Sequence, residues 1–169
     1  MKETFLCVMA QYDAETEMKL ADLQRKMTEA GFIGRQSKHL THHITLGIFD
    51  VSEETRIKDR IDEIARDFAP FEIRLGSLGL FRTDVLFISP VANPTLHRMH
   101  YALHQGIDED LNWVPHSTMF IEETNQVLQA VEFLARYFQP FSAKIESIGF
   151  YQFQPTRFIL EKSLAQTHE

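Results

Sequence analysis

The chain has 169 residues, enough for one domain with a sizeable core, and its 44% apolar and 24% charged residues are those of an ordinary globular protein. A net charge of −7 excludes broad, salt-driven adhesion to long nucleic acid, which needs a basic surface, but leaves room for a small or terminal nucleotide. No run approaches the ~18 apolar residues of a membrane span, Met1-Lys2-Glu3-Thr4-Phe5 has no apolar leader, and the lone Cys7 has no disulfide partner, so a cytoplasmic protein is expected.

Phe5 to Ala10 is a short apolar run suited to a strand, with Cys7 packed in it as a small apolar residue. Asp13 can cap a helix that runs to about Ala30, where Gly31 supplies a stop. Met18, Leu20, Ala21, Leu23 and Met27 recur there at helical spacing. His43 to Phe49 reads as a strand, and Ser52 as the cap of a charged amphipathic helix ending near Phe68. Phe71 to Leu80 and Val85 to Val91 form two strands around a turn at Arg82-Thr83-Asp84. Asn93-Pro94 starts a helix ending near Gly106, with Pro at the first helical position. Ser117 to Glu122 is a strand, Thr124 to Phe138 a helix, and Phe141 to Tyr151 and Arg157 to Leu164 the last two strands.

The second half repeats the first. Ala65-Arg66-x-Phe68-x-Pro70-Phe71 matches Ala135-Arg136-x-Phe138-x-Pro140-Phe141 at an offset of 70, and Ser77-Leu78-Gly79-Leu80-Phe81 matches Ser147-Ile148-Gly149-Phe150-Tyr151 at the same offset. Upstream, His43-x-Thr45 pairs with His116-x-Thr118 at 116 − 43 = 73, a drift that a loop absorbs. Two copies at this period are too few and too long for a solenoid. They read as a duplication: one domain, 1–169, of two pseudo-symmetric lobes (units roughly 39–91 and 112–164).

Side chains two apart on a strand share a face. His43 and Thr45 therefore project together, with Ile44 and Leu46 towards the core; His116 and Thr118 project together, with Ser117 and Met119 inward. Two lobes would bring both imidazoles and both hydroxyls to one point. Phosphodiester chemistry needs a base for the nucleophile, an acid for the leaving oxygen and donors for the non-bridging oxygens. Two histidines can divide the first two roles and two Thr hydroxyls supply the third. No metal or other cofactor is required by that set.

The paired motifs resemble those of the 2H phosphoesterase superfamily, which includes 2′-5′ RNA ligase-like proteins and cyclic nucleotide phosphodiesterases. His43-Ile44-Thr45-Leu46 fits the motif fully. Pro115-His116-Ser117-Thr118-Met119 fits the Pro-His-x-Thr form, with Ser and Met at usually aliphatic positions. The resemblance implies a bilobal α+β fold, with antiparallel sheets around a central cleft and helices outside, metal-independent chemistry on cyclic phosphates or 2′-5′ linkages, His43 and His116 as the acid/base pair, and Thr45 and Thr118 as phosphate ligands. Several members carry a basic residue shortly after one motif, but Gly47-Ile48 and Phe120-Ile121 follow here. Arg82 and Arg157, at strand ends, are the alternatives the sequence offers, and each is also an ordinary turn arginine.

Other readings compete. His39-Leu40-Thr41 is a third His-x-Thr, without a partner in the repeat, whose parity would let His39 line the same face as His43. His39, His42 and His43, and the helical trio His97, His100 and His104, suit a transition metal by residue type. On a strand His42 and His43 oppose each other, and Met99 and Leu103 beside the trio suggest a half-exposed helix with surface histidines. The expectation is a monomeric phosphoesterase for a small nucleotide or RNA terminus. The alternatives are a nucleotide- or RNA-end-binding protein of the same fold with weak catalysis, and a metal-dependent hydrolase.

Overall fold

The computed structural model describes residues 3–108 and 112–165; Met1 and Lys2 of the leader reading lie outside them. The elements are β1 (Phe5–Tyr12), α1 (Ala14–Glu29), β2 (His43–Phe49), α2 (Glu54–Asp67), β3 (Phe71–Phe81), β4 (Val85–Pro90), α3 (Pro94–His104), β5 (Ser117–Ile121), α4 (Thr124–Tyr137), β6 (Phe141–Phe153) and β7 (Arg157–Ser163). Among the described residues the α+β expectation is met by one seven-stranded sheet in the order β2-β1-β6-β3-β4-β5, with β7 also on β6 and every pairing antiparallel.

The long strand β6 holds the sheet together. Phe141 to Ile145 pairs with β3, while the stretch from Ile145 to Phe153 pairs with β1 and, on its other edge, with β7. Two wings, β2-β1-β6-β7 and β6-β3-β4-β5, therefore share one strand. The two ends of the path, β2 and β5, come back together: Ser117 Oγ donates to the His43 carbonyl at 2.9 Å.

Alternation drives this arrangement. Leu6, Val8 and Ala10 of β1, Ile44 and Leu46 of β2, and Leu86 and Ile88 of β4 are fully buried in one core with the inner faces of all four helices. The alternate residues of β1, Phe5, Cys7 and Met9, line a cavity instead. In α1 the Asp13 carboxylate accepts from the Thr16 N–H at 2.9 Å, and Gly31, at φ 95°, takes the left-handed position past the helix end. Of the apolar positions assigned there, Leu20, Leu23 and Met27 are buried but Met18 is 68% exposed, and Thr16 fills the core in its place. The Thr16 hydroxyl makes that possible by accepting from the Lys144 N–H at 3.0 Å.

Ser52 is not the cap of α2. Asp50 caps a 3₁₀ turn, Val51–Glu53, and its carboxylate binds both the Ser52 N–H and the Ser52 hydroxyl, so α2 begins without a side-chain cap.

The sheet carries paired irregularities. Against β1, β2 steps from Gly47↔Val8 to Thr45↔Met9 and leaves Leu46 as an extra residue; against β4, β5 steps from Phe120↔Leu86 to Thr118↔Phe87 and leaves Met119 extra. Both bulges fall directly after the Thr of a His-x-Thr motif, 119 − 46 = 73 residues apart. A bulge re-aims neighbouring side chains and raises the local twist. Here it buries Leu46 and Gly47 in succession, and Met119 and Phe120 in succession, while His43, Thr45, His116 and Thr118 stay half-buried on the other face.

Candidate active site

The two imidazoles are held in the same way. His43 Nδ1 lies 2.8 Å from the Thr41 carbonyl, and His116 Nδ1 lies 2.8 Å from the Val114 carbonyl. A carbonyl only accepts, so in each neutral ring the proton sits on Nδ1 and the lone pair on Nε2. Burial holds both imidazoles below the ordinary histidine range, against the opposing effect of those two carbonyls. His42 and His116 lower His43 further, while Glu17 opposes them.

Each ring has its own support. The His116 ring meets Phe81 edge-on at 4.5 Å and Phe87 at 5.1 Å. Gly79 makes this wall possible, because a Cβ there would meet the Phe87 ring at 2.4 Å. On the other side, the Glu17 carboxylate takes the His42 N–H at 2.9 Å and faces His42 Nδ1 at 3.0 Å, fixing the residue before His43. Thr45 Oγ1 has Cys7 Sγ beside it at 3.9 Å. The Cys7 thiol, pushed up to about 12 mainly by burial, is a packed apolar group rather than a nucleophile, as its place in a strand suggests.

A cavity of about 660 Å³ opens from this centre. His43, Thr45 and Thr118 line it, together with α1 residues such as Gln24 and Arg25 and the segment that includes Gln36, Ser37 and Lys38. Phe5 and Phe153, stacked at 5.5 Å, form part of its apolar wall. His116 stands outside that lining, against its two phenylalanines. His39 is exposed and does not line the cavity; the segment before His43 is not strand, so the alternation that would put His39 on the His43 face does not extend to it.

The two arginines considered as charge donors are engaged elsewhere: Arg82 pairs with Asp84 at 3.0 Å and Arg157 with Glu54 at 2.6 Å. Lys38, in a segment without helical or strand periodicity, brings a cation to the lining instead. The helical histidines also differ from expectation. His97 is exposed, but His100 and His104 are buried, at 7% and 5%. His100 stacks on Trp113 at 4.0 Å, and His104 reaches the Leu46 carbonyl at 2.8 Å and the Asp108 carboxylate. Among the described residues no group of three or more His, Cys, Asp or Glu is placed to share an ion.

The family model of the 2′-5′ RNA ligase superfamily matches residues 14–157, most of the chain and both motifs. This chain belongs to that superfamily. It is thereby a 2H phosphoesterase-type protein, as the paired motifs imply. Solved structures share the fold. TT0787 of Thermus thermophilus is similar over 97% of this chain and 100% of its own, at 17% identity and a TM-score of 0.67. LigT of E. coli in its apo form is similar over 98% of this chain and 100% of its own, at 18% identity and a TM-score of 0.63. A LigT structure complexed with 3′-AMP matches over the same shares, at 17% identity and a TM-score of 0.63. No curated protein sequence matches. No helix among the described residues is long and apolar enough to cross a membrane.

Proposed function

We propose that this chain hydrolyses a cyclic nucleotide phosphodiester, a 2′,3′-cyclic phosphate or a related 2′-5′ linkage, without a metal. His43 and His116 act as the acid/base pair, and Thr45 and Thr118 hold the phosphate. The observation that carries the reading is the matched tautomer lock: two half-buried imidazoles, each with Nδ1–H on the carbonyl two residues back and Nε2 left for chemistry. In this reading the two copies of the repeat each supply one His and one Thr to a shared cleft.

The step balances simply. The neutral imidazole takes a proton from water as its oxygen bonds to phosphorus. The protonated imidazole gives its proton to the ribose oxygen as the bond from that oxygen to phosphorus breaks, leaving a phosphomonoester. The Thr hydroxyls donate to non-bridging oxygens, whose charge grows in the transition state. The lowered basicity of both rings leaves them neutral in the empty site, and the bound anion raises one of them into the acid role.

The cavity supports a ligand of nucleotide size, since pockets of about 300–1,000 Å³ enclose most of a small organic molecule. LigT has been crystallised in complex with 3′-AMP, ATP and NADP+, which makes a small nucleotide a reasonable occupant here. Lys38 would supply the positive charge that Gly47 and Ile48 do not.

The test is turnover of a 2′,3′-cyclic nucleotide panel and a 2′-5′ dinucleotide in excess chelator, comparing wild type with His43→Ala and His116→Ala. Turnover that survives chelator and is lost in both variants supports the reading. No turnover of any substrate, or full turnover in His43→Ala, overturns it. Phosphate or nucleotide binding without turnover would identify a nucleotide-end-binding protein.

A further inference from the structure

Among the described residues, strand β2 pairs only with β1, so its other edge has no strand to bind its carbonyls. Three side chains from the second half of the chain bind them instead. Ser117 Oγ donates to the His43 carbonyl at 2.9 Å, Trp113 Nε1 to the Thr45 carbonyl at 3.0 Å, and His104 Nε2 faces the Leu46 carbonyl at 2.8 Å. Residues 43 and 45 share an edge by ordinary alternation. Leu46 would point its carbonyl back at β1, but it is the extra residue of the bulge and turns outward. The same stretch of backbone thus carries His43 and Thr45 on one face and three bonds from the other half of the molecule along its edge.

Of the three, His104 is the most specifically accommodated. A Cβ at Gly47 would meet His104 Nε2 and the Phe49 ring, each at 2.7 Å, so glycine at 47 lets both rings approach the strand. His104 Nδ1 is held by the Asp108 carboxylate, and its ring is flanked by Phe49 at 5.0 Å and His100 at 4.4 Å. His100 in turn stacks on Trp113, which holds the Thr45 carbonyl. His104 and Trp113 are therefore two donors of one stacked unit, bound to consecutive carbonyls directly behind the Thr45 hydroxyl. Gly47, two residues after Thr45 of the first motif, is given over to that contact.

We propose that His104 is a positioning residue: through the Leu46 carbonyl, and with Trp113 on Thr45, it sets the bulge of β2 and so aligns His43 and Thr45 with His116 and Thr118. The catalytic part of this inference rests on the phosphodiesterase reading; the structural part does not. Misplacing a reacting group by about 1 Å costs on the order of 100-fold in rate. Loss of the latch should therefore appear in kcat rather than as loss of the fold.

The experiment uses the full chain with His104→Leu, His104→Gln and Gly47→Ala. Gln offers an amide N–H at about the reach of imidazole Nε2, whereas Gly47→Ala keeps the imidazole and displaces it. Expected for His104→Leu is a kcat lower by about 10- to 100-fold with KM changed by no more than about twofold. Its thermal transition stays cooperative, and His104→Gln recovers most of the rate. In the ligand-free protein, the His43 ring and Thr45 amide resonances shift in His104→Leu and Gly47→Ala, while the His116 ring resonances stay in place. Wild-type kcat in His104→Leu, or a loss that only tracks the unfolded fraction with no rescue by Gln, overturns the proposal. If His104→Leu does not fold, Gly47→Ala gives the same readings, a lower kcat with shifted His43 and Thr45 resonances, while His104→Gln stays near wild type; wild-type kcat and unmoved resonances in Gly47→Ala overturn the proposal. If the wild type turns over no substrate, the phosphodiesterase reading fails while the resonances still decide the latch: unmoved His43 and Thr45 signals overturn it.

Discussion

Ser117 ties β5 to β2 between the two motifs, and its replacement by alanine has a cost that can be worked from its partners. The residue is fully buried. Its one hydroxyl proton goes to the His43 carbonyl at 2.9 Å, so the Tyr12 hydroxyl, 2.6 Å away, must donate to it. Tyr12 is itself buried, and burial pushes its phenol well above the usual tyrosine range, so it remains a donor. Ser117→Ala orphans two groups at once. An unsatisfied buried polar group costs about 1–3 kcal/mol, so about 2–4 kcal/mol is expected, the half-buried His43 position recovering part of its share from water. Tyr12→Phe removes only one bond and leaves Ser117 on its carbonyl, for about 0.5–1.5 kcal/mol. In the double variant no phenol is orphaned, so its cost falls short of the sum of the singles by about 1–2 kcal/mol. Urea unfolding measures all three, read from midpoint shifts at constant slope. Against a total of about 5–15 kcal/mol the effect is easily resolved. Additive costs, or Ser117→Ala no worse than Tyr12→Phe, would refute the relay.

Further expectations concern the chemistry and the buried thiol. His43→Asn and His116→Asn should each lower kcat by about 10²- to 10⁴-fold, the usual weight of one positioned acid or base, measured on the best substrate of the cyclic panel. Thr45→Val or Thr118→Val, removing one donor to the phosphoryl oxygens, should cost about 10²- to 10³-fold in kcat. Because both imidazoles lie below the ordinary value, the pH profile of kcat/KM should be a bell whose maximum lies below about 6.5, since the pair needs one proton and the empty site takes it up only as pH falls below the ordinary histidine value. An optimum at pH 8 would contradict it. Both rings also bind protons more weakly folded than unfolded, so their contribution to stability is present above about pH 6.5 and lost as pH falls through the folded values; His43→Asn should flatten the unfolding midpoint over that range. Cys7, buried and with its thiol raised to about 12, should resist alkylation at pH 8 until the protein is unfolded.

Much of the fold was legible because alternation and repetition act locally. The His-x-Thr strands, their inward Ile44, Leu46, Ser117 and Met119, and the helix ends at Asp13, Gly31 and Asn93-Pro94 follow from side-chain period and capping chemistry. What escaped depends on residues distant in sequence. Leu46-Gly47 and Met119-Phe120 are adjacent apolar pairs that break strict alternation, and that break was the visible trace of the two bulges. His100 and His104 read as surface groups because a helix face alone does not reveal that Trp113 and the open edge of β2 will cover it. Ser117 stood out as a hydroxyl on an apolar face, but its partners, Tyr12 and the His43 carbonyl, lie 105 and 74 residues away. Lys38 belongs to a stretch with no period at all, so its place in the cavity wall follows only from the folded chain.

Whether His43 and His116 serve one phosphate is decided by a crystal structure of the protein with a nucleoside 2′- or 3′-monophosphate. The phosphate should lie between the two imidazoles, each Nε2 within hydrogen-bond reach of a phosphate oxygen, with the Thr45 and Thr118 hydroxyls on the remaining oxygens. A phosphate seated against Lys38 and away from either Nε2, or contacting one imidazole only, would contradict that shared role.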